Sequence, residues 1–149
     1  MTNAVDRQVE LTLPLVEDIE LAVIKTAADL ARTLGMGSVE IDEISHAIIE
    51  ACINAREHAC CADERIYLRF LGGISEDGRA KLEVWIKDRG VGFDPSKVKR
   101  REPGSSEAPR KRGWGLQIMR AHVDSLDIES GIDGTTIHMV KFSERRRDD

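Results

Sequence analysis

No stretch of this chain is apolar for the roughly 18 residues that crossing a bilayer takes, and Met1 to Leu13 lacks the basic-then-apolar layout of an export signal. A soluble, cytoplasmic chain with no membrane partner is expected. Cysteine is also scarce: Cys52, Cys60 and Cys61 are odd in number and lack CxxC spacing, which argues against a disulfide framework. On a helix Cys60 and Cys61 would point about 100° apart, a poor start for a zinc site, so reduced structural thiols are expected. An excess of positive charge is missing as well. The net charge is −5 and the pI near 5.4, which argues against nucleic acid as the main ligand.

What is present suits one folded unit. With 41% hydrophobic and 33% charged residues the chain is globular, and 149 residues make one domain with a core of its own. The expected domain is 1–149, ordered over about 8–143, with a frayed ERRRDD tail. Val9, Leu11 and Leu13 alternate as a strand, and Ile19, Ala22, Val23, Leu30 and Leu34 mark a helix stopped by Gly35 and Gly37. A second helix spans Val39 to Ala59. Strands follow over Arg65 to Ile74 and Ala80 to Asp88, joined by a turn at Asp77 and Gly78. A helix from about Leu116 and strands over Leu126 to Ser130 and Thr135 to Phe142 complete the chain. Helices gathered on one side of a mixed, mostly antiparallel sheet give a two-layer α/β sandwich, with Tyr67 and Trp85 on the uncovered face.

Three short segments carry the chemistry. In EACINAREHA, Glu50 and Asn54 stand four apart on a helix and so share a face, and His58 continues the line. A carboxylate and an amide oxygen one turn apart suit a hydroxyl to be activated and a Mg²⁺, which prefers hard oxygen ligands and keeps several waters. In DRGVGFD, Asp88 ends an alternating strand and is followed by Gly90 and Gly92, which permit close ligand approach. A carboxylate at a strand end can accept from an exocyclic amine while a flat ring lies over the glycines, as adenine would. In RGWGL, Gly113 and Gly115 precede an apolar helical pattern whose unpaired N–H groups and dipole favour an anion. Together the three segments point to ATP.

These segments resemble the N, G1 and G2 boxes of the GHKL ATPases, the superfamily of gyrase, heat-shock chaperones, MutL-type repair proteins and histidine kinases. GTT at Gly134 to Thr136 is similar to their late glycine–threonine element. EACINAREHA and the run GWGLQIMRAHVDSLDIESGIDGTT are most similar to the bacterial anti-sigma factor serine kinases, and the likeness covers nearly the whole chain. The resemblance implies the histidine-kinase-like ATPase (Bergerat) fold, with Glu50 as general base and Asn54 as Mg²⁺ ligand. It implies further that Asp88 receives the adenine amine, that Gly90 and Gly92 shape the base pocket, and that Thr135 supports adenine. Arg112, Gly113, Gly115 and Leu116 fall at the phosphates.

Lys97, Lys99, Arg100, Arg101, Arg110, Lys111 and Arg112 crowd a stretch rich in proline, glycine and serine. By the resemblance this is an ATP lid over about 95–112. The implied activity is transfer of the ATP γ-phosphoryl group to a serine of a STAS-type anti-sigma factor antagonist, together with sequestration of a sigma factor, by a homodimer. Two alternatives remain open at this point: an ATP-gated binding module without kinase activity, and a stand-alone histidine-kinase-type ATPase domain. The latter is the weaker, because no preceding segment is long enough for a phospho-accepting helical hairpin. Glu50 favours catalysis over mere binding.

Overall fold

In the computed structural model of the chain, residues 6–58, 63–90 and 111–146 are described, with His58, 111–114, Arg145 and Arg146 described by their backbone alone. Gly92, Cys60, Cys61 and the expected lid as far as 110 lie outside these residues. The elements run β1 (Arg7–Pro14), α1 (Ile19–Thr33), α2 (Ser38–His58), β2 (Arg65–Ile74), β3 (Arg79–Asp88), α3 (Lys111–His122), β4 (Ser125–Gly131) and β5 (Gly134–Arg146).

Period-two alternation assigns each strand a core face. Ile66, Leu68 and Phe70 of β2, Leu82, Val84 and Ile86 of β3, and Ile137 and Met139 of β5 are buried beneath the helices. The alternate residues Tyr67, Arg69, Lys81, Glu83, Trp85 and Lys87 therefore fall on the other, uncovered face. Each large apolar side chain buried this way contributes roughly 1.5–3 kcal/mol. Phe70, in the middle of β2 and the largest of the fully buried side chains, is expected to cost about 3–5 kcal/mol on truncation to alanine.

The strand order is β1-β2-β3-β5-β4, and every neighbouring pair is antiparallel. The connections explain why no parallel pair forms among the described residues. One helix between adjacent strands would carry the chain back for a parallel entry, but α1 and α2 make two passes, so β2 begins opposite the end of β1, with Arg65 facing Pro14. The single helix α3 does return the chain so that β4 runs in the direction of β3. However, β5 doubles back and inserts between them.

Two boundaries differ from the sequence reading. β5 continues to Arg146 instead of fraying after Phe142, because Ser143 is buried, the Glu144 N–H donates to Glu40 Oε2 at 3.1 Å, and Arg146 pairs with Arg79. α3 begins at Lys111, so Arg112, Gly113 and Gly115 lie within its opening turns rather than before it. Among the described residues no helix is long and apolar enough to cross a membrane.

Candidate functional site

α2 is the central helix of its layer, and its three flanks have different compositions. Ile41, Ile44, Ala47, Ile48, Ala51 and Ala55 are buried and form the stripe that meets the sheet. Cys52 and Arg56 turn toward α1, where Arg56 pairs with Glu20. Glu43, His46, Glu50 and Asn54 occupy the other flank, toward α3. The two helices are antiparallel. Near the start of α2, the His46 and His122 rings are 5.1 Å apart, and Lys141 Nζ meets both the His122 carbonyl (2.9 Å) and Glu43 (3.1 Å). Further along, Glu50 faces Gly115 near the start of α3: a β-carbon at Gly115 would lie 3.4 Å from Glu50 Oε1.

α2 ends where β2 begins, and Ile66 of β2 stands opposite Asp88, the last residue of β3. The same end of the sheet thus receives the C-terminal half of α2, the positive end of the α3 dipole, the end of β3 and the start of β5. Asp88 is 3% exposed and Thr135, its cross-strand partner, 1%. Asp88 Oδ1 accepts the Gly90 N–H at 2.9 Å, and the Ser130 and Thr135 hydroxyls lie 2.6 Å apart. Gly134 explains its own identity. Its φ is +121°, and a β-carbon there would fall 2.0 Å from the Asp88 carbonyl oxygen and 2.8 Å from the Arg89 Cα.

Along the α2–α3 flank, polar atoms are buried in an unusual way. Glu50 is 9% exposed, and Asn54 Nδ2 is buried without a hydrogen-bond partner among the described residues, as is Gln117 Oε1 elsewhere on α3. Orphaned polar atoms of this kind cost about 1–3 kcal/mol each, so native structures keep few of them. A carboxylate and an amide one turn apart form the hard-oxygen set suited to Mg²⁺. Among the described residues no group of three or more histidine, cysteine or acidic side chains gathers to hold a metal unaided.

The sequence-singled residues Glu50, Asn54, Asp88, Gly90, Gly115, Leu116 and Thr135 thus belong to one end of the molecule, with the backbone of Arg112 and Gly113 in the first turn of α3. Gly92 and the lid residues lie outside the described set. A hollow of about 560 Å³ bounded by Asp6, Ser75, Arg79 and Phe142 is at the opposite end of the sheet and takes in none of these groups. Sequence reading missed Ser130, whose bond to Thr135 depends on the β4–β5 register.

Residues 13–141 match the sequence profile of the histidine kinase-like ATPase domain. The serine-protein kinase RsbW of Bacillus licheniformis is 34% identical over 133 residues, covering 83% of this chain and 78% of that protein. The Bacillus pumilus protein of the same name is 29% identical over 159 residues, covering 100% of this chain and 93% of its own. Among solved structures, that of the RsbU and RsbW domains of a Mycobacterium tuberculosis protein superposes with a TM-score of 0.66 at 23% identity. It covers 95% of this chain, which spans 34% of that longer one, and the likeness is one of fold.

Proposed function

The chain belongs to the histidine kinase-like ATPase family, and from that premise we propose that it is an ATP-dependent serine-protein kinase and anti-sigma factor of the RsbW type. We read 1–149 as one such domain, ordered over about 8–143, with the lid over about 95–112. The observation that carries the reading is the convergence of Glu50, Gly115, Asp88 and Thr135 on one end of the sheet, with the three polar side chains buried.

Asp88 receives the adenine amine, held in place by the Gly90 N–H, and the Ser130–Thr135 hydroxyl pair completes the polar edge. Gly90 and Gly92 leave room for the ring. The opening turns of α3, from Arg112 and Gly113 to Gly115 and Leu116, approach the phosphates, where the free N–H groups of the first turn and the helix dipole favour anions. Asn54, with Glu50 one turn away, would hold a Mg²⁺, which when bound neutralises triphosphate charge. Glu50 takes the proton of the serine hydroxyl as its oxygen bonds to the γ-phosphorus and the bond to ADP breaks.

The protein acceptor is a STAS-type antagonist, the sequestered partner a sigma factor, and the working form a cytoplasmic homodimer. The sequence similarity to serine-protein kinases named RsbW supports a serine of a protein as the acceptor. Calorimetry with Mg²⁺ provides the first test. GTP presents a carbonyl where adenine presents an amine and leaves Asp88 facing a like acceptor, so ATP is expected to bind about tenfold or more tightly. Equal affinities would remove Asp88 from the site and the adenine assignment with it.

A further inference from the structure

Between Asp88 and Gly90 stands Arg89, and its surroundings are more constrained than its 57% side-chain exposure suggests. The guanidinium lies over the Tyr67 ring, with Cζ 4.5 Å from the centroid, and its Nη1 is 3.6 Å from Asp63 Oδ2. The Tyr67 hydroxyl donates to that same Asp63 oxygen, and Asp63 Oδ1 accepts the Arg65 N–H at 3.2 Å. Arg89, Tyr67 and Asp63 thus form a closed triangle on the uncovered side of the sheet. The hydrogen bond from Tyr67 holds the Asp63 carboxyl below its usual range and raises the phenol above its own, as expected for a contact that favours the carboxylate.

The triangle connects two parts of the site. Asp63 stands five residues beyond the end of α2, the helix that carries Glu50 and Asn54, while Arg89 is the middle residue of the turn that the Gly90 N–H closes onto the Asp88 carboxylate. The Arg89 backbone is confined as well, since its Cα occupies the space next to Gly134. With the backbone held on the β5 side and the side chain on the β2 side, the 88–90 turn loses its freedom to rotate about the end of β3. That rotation would swing the Asp88 carboxylate, which has to meet a donor at a fixed distance.

We propose that Arg89 is a positioning residue for base selection: the clamp of Tyr67 and Asp63 on its side chain fixes the 88–90 turn so that Asp88 faces the adenine amine. The proposal rests on the nucleotide reading above and extends it beyond the residues that touch the base. Adenine affinity, and not phosphate affinity, is the quantity the clamp sets.

The test compares ATP and GTP affinities by calorimetry in the full chain. In Arg89→Gln the ATP dissociation constant should rise about five- to tenfold, the range expected for losing one cation–π contact and one exposed ion pair together. GTP affinity should stay within twofold, so the ATP/GTP ratio falls by the same factor. Arg89→Lys, which keeps a cation over Tyr67 and near Asp63, should restore most of the ratio, and Tyr67→Leu should repeat the loss. Thermal midpoints should change little in the Arg89 variants, because the side chain is more than half exposed. If ATP and GTP weaken together, or neither changes, Arg89 does not set base selection and the proposal fails while the kinase reading stands. If the unmodified protein shows no preference for ATP, the nucleotide reading fails first and the proposal goes with it.

Discussion

The two sides of α2 are built from the same helix and buried to a similar depth, yet they are finished differently. Toward α1 the charged groups are paired: Arg56 reaches Glu20, and Cys52, with no exposure at all, lies close to that pair. Toward α3, Asn54 Nδ2 is buried without a partner among the described residues, one turn from Glu50, which faces a glycine that leaves the carboxylate room. A seam that only holds helices together has no reason to keep such atoms, since each costs stability. A seam that receives a ligand does, because the ligand supplies the missing partners. Under the proposed function the α1 seam serves the fold, and the α3 seam gives up stability for a site.

Breaking the α3 seam at Glu50 should produce the largest effect. Glu50→Gln preserves shape but cannot take a proton, so phosphoryl transfer to a serine acceptor should fall about 10²-fold or more while ATP affinity stays within a few-fold. Transfer at the normal rate would leave a nucleotide-gated binding module as the better description. Next comes Asn54→Ala. Nucleotide affinity in the presence of Mg²⁺ should drop about tenfold or more through loss of an oxygen ligand, and removing a buried orphan should leave thermal stability unchanged or higher by about 1 kcal/mol. A destabilised Asn54→Ala protein that still binds Mg-ATP normally would show that this amide serves packing, and the contrast between the seams would disappear.

How much of this was legible beforehand follows from the range of the interactions. Strand alternation and helix periodicity depend on neighbours two to four residues away, so β2, β3, α1 and α2 are readable from sequence almost to their ends. Glu50 and Asn54 share a turn, and their pairing on one face is equally local. Asp88 facing Thr135 depends on a strand register set 47 positions apart; resemblance to a known motif order names each residue, but neither it nor spacing gives their pairing. The extension of β5 to Arg146 was missed for the same reason: its anchor, Glu40, lies 104 positions away. So was the Arg89 clamp, whose partners Tyr67 and Asp63 come from another strand and its entry loop. Gly134 looks like an ordinary turn glycine until the Asp88 carbonyl is seen beside it.

The α1 seam should respond in the opposite way. Arg56→Ala removes one half of a partly buried ion pair and should lower stability by about 1 kcal/mol, more than a fully exposed pair would. ATP affinity should stay within twofold, as read by calorimetry alongside a denaturant titration. If this variant loses nucleotide binding without losing stability, the two seams are not separate and the α1 side belongs to the site.

Cys52 gives the smallest effect and the sharpest control, because it lies on α2 between Glu50 and Asn54 in sequence but on the opposite flank. Burial pushes its thiol up from 9.0 to about 12, and the nearby Glu20 carboxylate adds to the rise. A folded-state pKa above the unfolded one means that the folded chain holds the proton more tightly. The associated stability is therefore fully present below about pH 9 and is lost as pH rises toward 12. At about pH 9.5 the loss should be under about 1 kcal/mol, since only the first half unit above the unfolded pKa has been crossed. Cys52→Ala makes the measurement specific: the substitution carries its own packing cost at every pH, so the quantity to compare is the slope of stability between about pH 8 and 10, which should be shallower in the variant. Nucleotide affinity at neutral pH should be the same in both proteins. Identical slopes would mean that the Cys52 thiol ionises as easily folded as unfolded, which would require solvent or a ligand on the α1 flank and would overturn the assignment of that seam to structure alone.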